Sequence, residues 1–197
     1  MDALTAAPGL LGHAVSYALA SAGHATPQLL PRATPCEGWD LRTLLLHVSD
    51  SLDVLTGALR AGQVGLGPPP APEPTTGADP VACLRCRARD LLRACAAASA
   101  EERLVAIADR ELTASMITAA GAIEIAVHGW DISVACGIRR PIPPALAAEL
   151  LPLAPLLIPR TTRAGLFADP VPVPESACPG DSLVAFLGRR PRPDGTA

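Results

Sequence analysis

Apolar residues along this chain recur three and four apart, not in alternation, and the recurrences are separated by clusters of proline and glycine. That rhythm predicts helices. Residues 3–23 carry Leu4, Leu10, Leu11, Ala14, Tyr17 and Ala18, a helical spacing despite Pro8 and two glycines. The next helix is expected over 41–61, where Leu44, Leu45, Val48, Leu52, Leu55 and Leu59 form a stripe and Asp40 supplies an N-cap carboxylate. A third spans 81–98, with Leu84, Leu91 and Leu92 apolar against Arg85, Arg87, Arg89, Asp90 and Arg93. The alanine-rich run 114–125 contains no proline and continues a long fourth helix that Gly137 stops. A fifth helix over 144–157 should be irregular in its second half, because Pro152 and Pro155 remove backbone donors there. A last short helix is expected over 181–187, and a short extended piece around 104–108.

Between the second and third helices, residues 62–79 hold Gly65, Gly67, Pro68, Pro69, Pro70, Pro72, Pro74 and Gly77, the composition of an exposed loop. The segment 161–197 alternates proline with apolar residues and should fray over its last six positions. Hydrophobic residues make up 49 % of the chain and aromatics 3 %, so the core must be built from Leu, Ala and Val. Such small side chains favour closely packed helices over a sheet. At 197 residues the expectation is one mostly all-α domain, 1–197, with a short irregular C-terminal extension.

The net charge of −3, with no basic block except a short arginine group near the C-terminus, argues against a nucleic-acid partner. The longest apolar run, 150–158, contains two prolines and falls far below the roughly 20 residues that span a bilayer. With no basic leader ahead of an apolar segment, a cytoplasmic protein without a membrane partner is expected. Its six cysteines should then stay reduced. The Cys83–Cys86 pair has the spacing of half a zinc site or a redox pair, but no second such pair or His pair completes it, and its thiols read as structural or incidental.

Candidate chemistry concentrates in Glu124-Ile-Ala-Val-His128-Gly-Trp-Asp131. Four residues apart on a helix, Glu124 and His128 share a face and offer a carboxylate oxygen and an imidazole nitrogen to one point. The spacing fits an intrahelical ion pair or two ligands of a divalent cation such as zinc. Their neighbours Ile123, Ile125, Ala126 and Val127 are apolar, which favours an inward-facing pair that needs a partner. A metal site requires a third ligand. His47, set among leucines, reads either as a core histidine bonded to a carbonyl or as that ligand. His13 and His24 take no role.

Three motifs in order, Thr34-Pro-Cys-Glu-Gly-Trp-Asp-Leu-Arg with His47 downstream, the 124–131 stretch, and Leu183-Val-Ala-Phe-Leu-Gly-Arg189, make the chain resemble the DinB-like metalloproteins. Within them it looks like an actinobacterial single-domain branch that resembles the metal-binding domain of mycothiol-dependent maleylpyruvate isomerase. The resemblance implies a four-helix bundle with one divalent metal, zinc or nickel among the options, held by His47, Glu124 and His128. It implies a metal-activated low-molecular-weight thiol, mycothiol being the co-substrate in the relatives, attacking a small electrophile. The expected activity is that of an S-transferase or isomerase. A metal-dependent hydrolase or cyclase remains open, as do a protein that binds a small molecule without turnover and a homodimeric state. The short Gly-Arg tail stands where the isomerase carries a separate C-terminal domain, and this leaves the isomerase reaction itself undecided.

Asp50 and Asp131 each lie three residues after a ligand histidine and share its face, so each can orient an imidazole or act as a general base; Asp50 also reads as a solvated position at the bundle mouth, and Asp131 as a local backbone or tail contact. Trp39 and Trp130 read as packing anchors, with Trp130 also a candidate pocket wall. Arg189 is a candidate for a structural salt bridge or for an anionic substrate group.

Overall fold

The computed structural model describes residues 7–61, 63–64, 79–97, 104–107, 110–159, 163 and 167–191. Four long helices build it: α1 Ala7–Ala22, α2 Leu41–Ala61, α3 Pro80–Ala97 and α4 Ala114–Ala135. Three short ones follow, α5 Pro144–Leu150, α6 Ala154–Leu157 and α7 Pro179–Phe186. The all-α bundle expected from the periodicity is the fold observed. α2 occupies the predicted span, and Asp40 Oδ1 accepts the Thr43 amide at 2.8 Å, closing its first turn. The predicted fifth helix divides into α5 and α6 around a turn at Leu151–Leu153, where Pro152 interrupts the hydrogen-bond ladder.

α4 lies at the centre. Between Gly121 and Ala135 every residue is buried except Glu124 and Val134, as befits a helix that is apolar nearly all round and packs on several neighbours. Small residues let those neighbours approach. A Cβ at Gly129 would lie 2.9 Å from the Tyr17 ring and 3.0 Å from the Ala18 Cα, so only glycine permits α1 to sit this close. Along α2, Leu55 packs on the Gly121 position and Ser51 bonds Glu124. Rising numbers on α2 thus meet falling numbers on α4, and the two helices run antiparallel. The core between them is aliphatic: Leu44, Leu45, Leu52, Ile123 and Ile125 are essentially inaccessible. Each such side chain contributes about 1.5–3 kcal/mol by burial.

A small sheet closes one end. β1 Gln63–Val64 pairs in parallel with β2 Leu104–Ile107, which pairs antiparallel with β3 Arg110–Thr113. β2 coincides with the extended piece expected near 104–108. β1 and β3 are additions that the periodicity does not reveal, since two and four residues are too few to show a period of two. Because β1 follows α2 and β3 leads directly into α4, the sheet sits at the C-terminal end of α2 and the N-terminal end of α4. The opposite end, where α2 begins and α4 finishes, carries the polar side chains. Apart from Gln63, Val64 and Asp79, the proline-rich loop expected over 62–79 lies outside the described residues, as do the last six positions of the chain.

Candidate metal centre

Two elements and two connectors converge at that end. α2 presents His47 and Ser51 on one face, one turn apart. α4 presents Glu124, His128 and Asp131. Before α2 the chain makes a compact turn: the Thr34 amide donates to the Trp39 carbonyl at 3.0 Å, and the Cys36 amide donates to Thr34 Oγ1 at 3.1 Å. This turn aims Cys36 and Trp39 at the histidines. After α7 the chain leaves through Gly188 and turns Arg189 back towards α4.

The ligand atoms of His47, Glu124 and His128 all lie within 4.8 Å of one another. His47 Nε2 is 3.2 Å from Glu124 Oε1, and Ser51 Oγ donates to the same oxygen at 2.6 Å. Burial pushes the Glu124 carboxyl up, but its bonds from His47 and Ser51 and the nearby His128 outweigh that and hold it below its ordinary value. It is therefore a carboxylate at neutral pH. His47 and Glu124 keep about a third of their side-chain surface, 36 % and 35 %, whereas His128 keeps 11 %. The cluster is thus open on the His47 side and closed on the His128 side. Trp39 stands at the opening, its ring centroid 4.6 Å from that of His47 and 6.4 Å from that of His128.

Behind His128 a second group forms. Asp131 Oδ2 lies 3.0 Å from His128 Nδ1, and Arg189 donates to both oxygens, Nη2 to Oδ2 at 2.9 Å and Nε to Oδ1 at 3.3 Å. The Cys36 thiol donates to Asp131 Oδ2 at 3.3 Å and accepts from Arg189 Nη2 at 3.3 Å. Burial and the adjacent Asp131 charge push the Cys36 thiol up to about 12, so it remains protonated. Burial also acts to raise Asp131, but the His128 bond and the Arg189 guanidinium prevail and keep it below the usual carboxylate range. Cys36, His128 and Asp131 likewise present three donor atoms within 4.8 Å. That set is already satisfied: a guanidinium fills the place beside the carboxylate, and the sulfur carries its proton.

The donor chemistry of His47, Glu124 and His128 fits a divalent cation: two imidazoles and one carboxylate, converging, with no lysine or arginine bonded to them among the described residues and with an open side. With its Nδ1 proton given to Asp131, His128 has its lone pair on Nε2, the tautomer that a carboxylate-held ligand histidine adopts.

Of the other residues singled out from sequence, Asp50 is exposed and makes no contact with this cluster; it sits near Asp53, on the outer face of α2. Three and four residues both return to roughly the same side of a helix, and packing makes Ser51, at four, the one that reaches Glu124. Asp131 is fully buried with both oxygens engaged, a geometry for orienting His128 and not for receiving a substrate proton. Trp130 is buried in the bundle core at 8 % exposure, the place of a packing anchor. Arg189 is in a buried ion pair, not directed at an open site. Cys83 and Cys86 remain free thiols outside both clusters.

Cys36, Ser51 and Trp39 are the neighbours that sequence reasoning did not single out as site residues. Ser51 carried a readable signal, its four-residue spacing from His47. Cys36 and Trp39 reach the site only through the hydrogen bonds of the 34–39 turn, which no periodicity encodes.

Residues 11–133 match the family described as the mycothiol maleylpyruvate isomerase N-terminal domain. The matched span includes His47, Glu124, His128 and Asp131 but stops short of Arg189. Two curated relatives are uncharacterized proteins of Mycobacterium tuberculosis, from strains CDC 1551 and H37Rv. Each is 30 % identical over 161 residues, 81 % of this chain and 84 % of the relative. No solved structure matches the chain significantly.

Proposed function

The chain belongs to the mycothiol maleylpyruvate isomerase N-terminal domain family, a metal-binding family, and from that premise we propose a divalent-metal-dependent enzyme that joins a low-molecular-weight thiol to a small electrophile. The observation that carries this reading is the convergence of His47, Glu124 and His128 within 4.8 Å beside an opening walled by Trp39. His47, Glu124 and His128 are its metal ligands, with zinc the first candidate and nickel a second. When bound, such a cation supplies a lowered thiol pKa, giving thiolate near neutral pH where a free thiol titrates at about 8.5.

The chain's own residues prepare that chemistry. Ser51 holds Glu124 in one orientation. Asp131 holds the His128 tautomer, and Arg189 fixes Asp131. The Trp39 ring offers an apolar wall on the open side, suited to the flat face of an unsaturated carbonyl compound. A thiolate of mycothiol type adding to a conjugated carbon–carbon double bond, rotation about the resulting single bond, and elimination of the same thiolate give isomerisation with no net change in composition. Displacement of a leaving group gives an S-conjugate instead. Both fit a small-molecule partner in a bundle none of whose described helices is long and apolar enough to cross a membrane.

Two measurements test this. Protein purified without chelator or metal-affinity steps should carry about one equivalent of divalent metal, lost in His47→Ala. Cobalt-substituted protein should then change its visible spectrum on addition of a thiol. A metal-loaded protein whose cobalt spectrum ignores thiols would turn the reading to water-based hydrolysis, cyclisation or plain sequestration. Metal-free protein after incubation with zinc or nickel would remove the centre altogether.

A further inference from the structure

α3 displays a cationic ridge that the metal centre does not use. Arg85, Arg89 and Arg93 stand on successive turns, about 12 Å of helix from first to last. Beside them a groove of about 620 Å³ runs between α1 and α3, floored by Leu19, Leu92 and Ala96. Leu92 belongs to the apolar pattern of α3, yet it is 39 % exposed and lies over Gly12 of α1, without sinking between the helices. The groove is thus apolar below and cationic along one wall.

We propose that this groove is a binding site for a small amphiphilic anion, with a carboxylate or phosphate head on the arginines and an alkyl or aryl body over Leu19 and Leu92. Charge carries the first half of the argument. Among the described residues Arg93 pairs only with Asp90, at 3.4 Å, its side chain 68 % exposed, and Arg85 and Arg89 meet no carboxylate. Arginines four apart on one helix repel each other, and the anion relieves that repulsion. On a chain of net charge −3 the ridge is a local concentration of charge, not part of a generally basic surface of the kind that holds nucleic acid. Size carries the second half. The volume lies within the roughly 300–1,000 Å³ of small-molecule sites, whereas a protein partner needs a far wider contact. The groove shares no residue with the metal centre.

The test is calorimetric titration of the full chain with decanoate and with decyl phosphate, both below micelle formation. Neutral decanol and phosphatidylglycerol vesicles serve as comparators. The expected result is saturable one-to-one binding of at least one of the two anions. The double variant Arg85→Gln/Arg89→Gln should weaken it at least about tenfold, as loss of charge-assisted bonds requires. His47→Ala should leave it unchanged. Whichever anion binds more tightly identifies the preferred head group. No saturable binding, equal binding to the arginine double variant, or loss of binding in His47→Ala would each overturn the proposal. So would binding confined to vesicles, which would make the ridge a membrane contact.

Discussion

His128 belongs to two clusters, and they differ in the way that matters for a metal. On one side stand His47 and Glu124, partly exposed, with a carboxylate held by a hydroxyl. On the other stand Asp131, fully buried, and the partly buried Cys36 and Arg189, with the carboxylate held by a guanidinium. Each side offers three donor atoms within the same 4.8 Å. Proximity of donors therefore does not define a site. The first set lacks a positive charge and the second already has one; a cation completes the former and would have to displace Arg189 from the latter. Closed charge next to open charge gives the two carboxylates different work in the proposed centre: Glu124 is the one free to bind a cation, and Asp131 the one placed to orient His128.

The sharpest way to break this comparison is to remove a donor from the open side. His47→Ala and Glu124→Ala should each abolish stoichiometric metal, read by elemental analysis after dialysis. Retention of a full equivalent in both would move the metal to the Cys36 side. Next in size is the guanidinium. Arg189→Ala leaves the Asp131 charge buried without its main counter-ion, and such a loss costs about 3–5 kcal/mol. The measurement is the urea midpoint of metal-free protein, so that lost metal does not contribute. A shift under about 1 kcal/mol would mean that His128 and Cys36 suffice to hold Asp131, and that the second cluster is not closed by Arg189.

How far this division was legible in the sequence follows from its physics. The helices were readable because burial imposes a period: α2 and its Asp40 cap fall where Leu44 to Leu59 place them, and Gly137 stops α4 with a positive φ of 75°. Glu124 and His128 were readable as a pair for the same reason, since one helix carries both. His47 needed the family resemblance, because two helices distant in sequence must pack before it meets them. The second cluster was the least legible. Asp131 could be put near His128 by spacing, but its closure depends on Arg189, 58 residues away, and on a turn that aims Cys36 inward. At Asp50 the spacing left two readings, because three and four residues both count as one face in outline, and packing brought Ser51 to Glu124.

Asp131→Asn probes how much the closed side contributes to the open one. The amide keeps the shape but loses the charge that fixes the His128 proton on Nδ1. Removing such an outer partner lowers metal affinity by about 10–100-fold. Competition with a chromophoric chelator measures it. Unchanged affinity would show that the two clusters share a residue without being coupled.

Cys36→Ser should do the least and decide the most. A hydroxyl can still donate to Asp131 Oδ2 and accept from Arg189 Nη2, so the closed cluster keeps its connectivity. The thiol it replaces is protonated, its titration pushed up to about 12, and contributes no charge at neutral pH. Stability should shift by less than about 1 kcal/mol and the metal content should stay at one equivalent. Zinc and similar ions favour thiolate over hydroxyl, so a metal held on this side would be lost in the serine variant. The two substitutions together separate the sets: metal retained in Cys36→Ser and lost in His47→Ala assigns it to the open side, and the opposite pattern assigns it to the closed one.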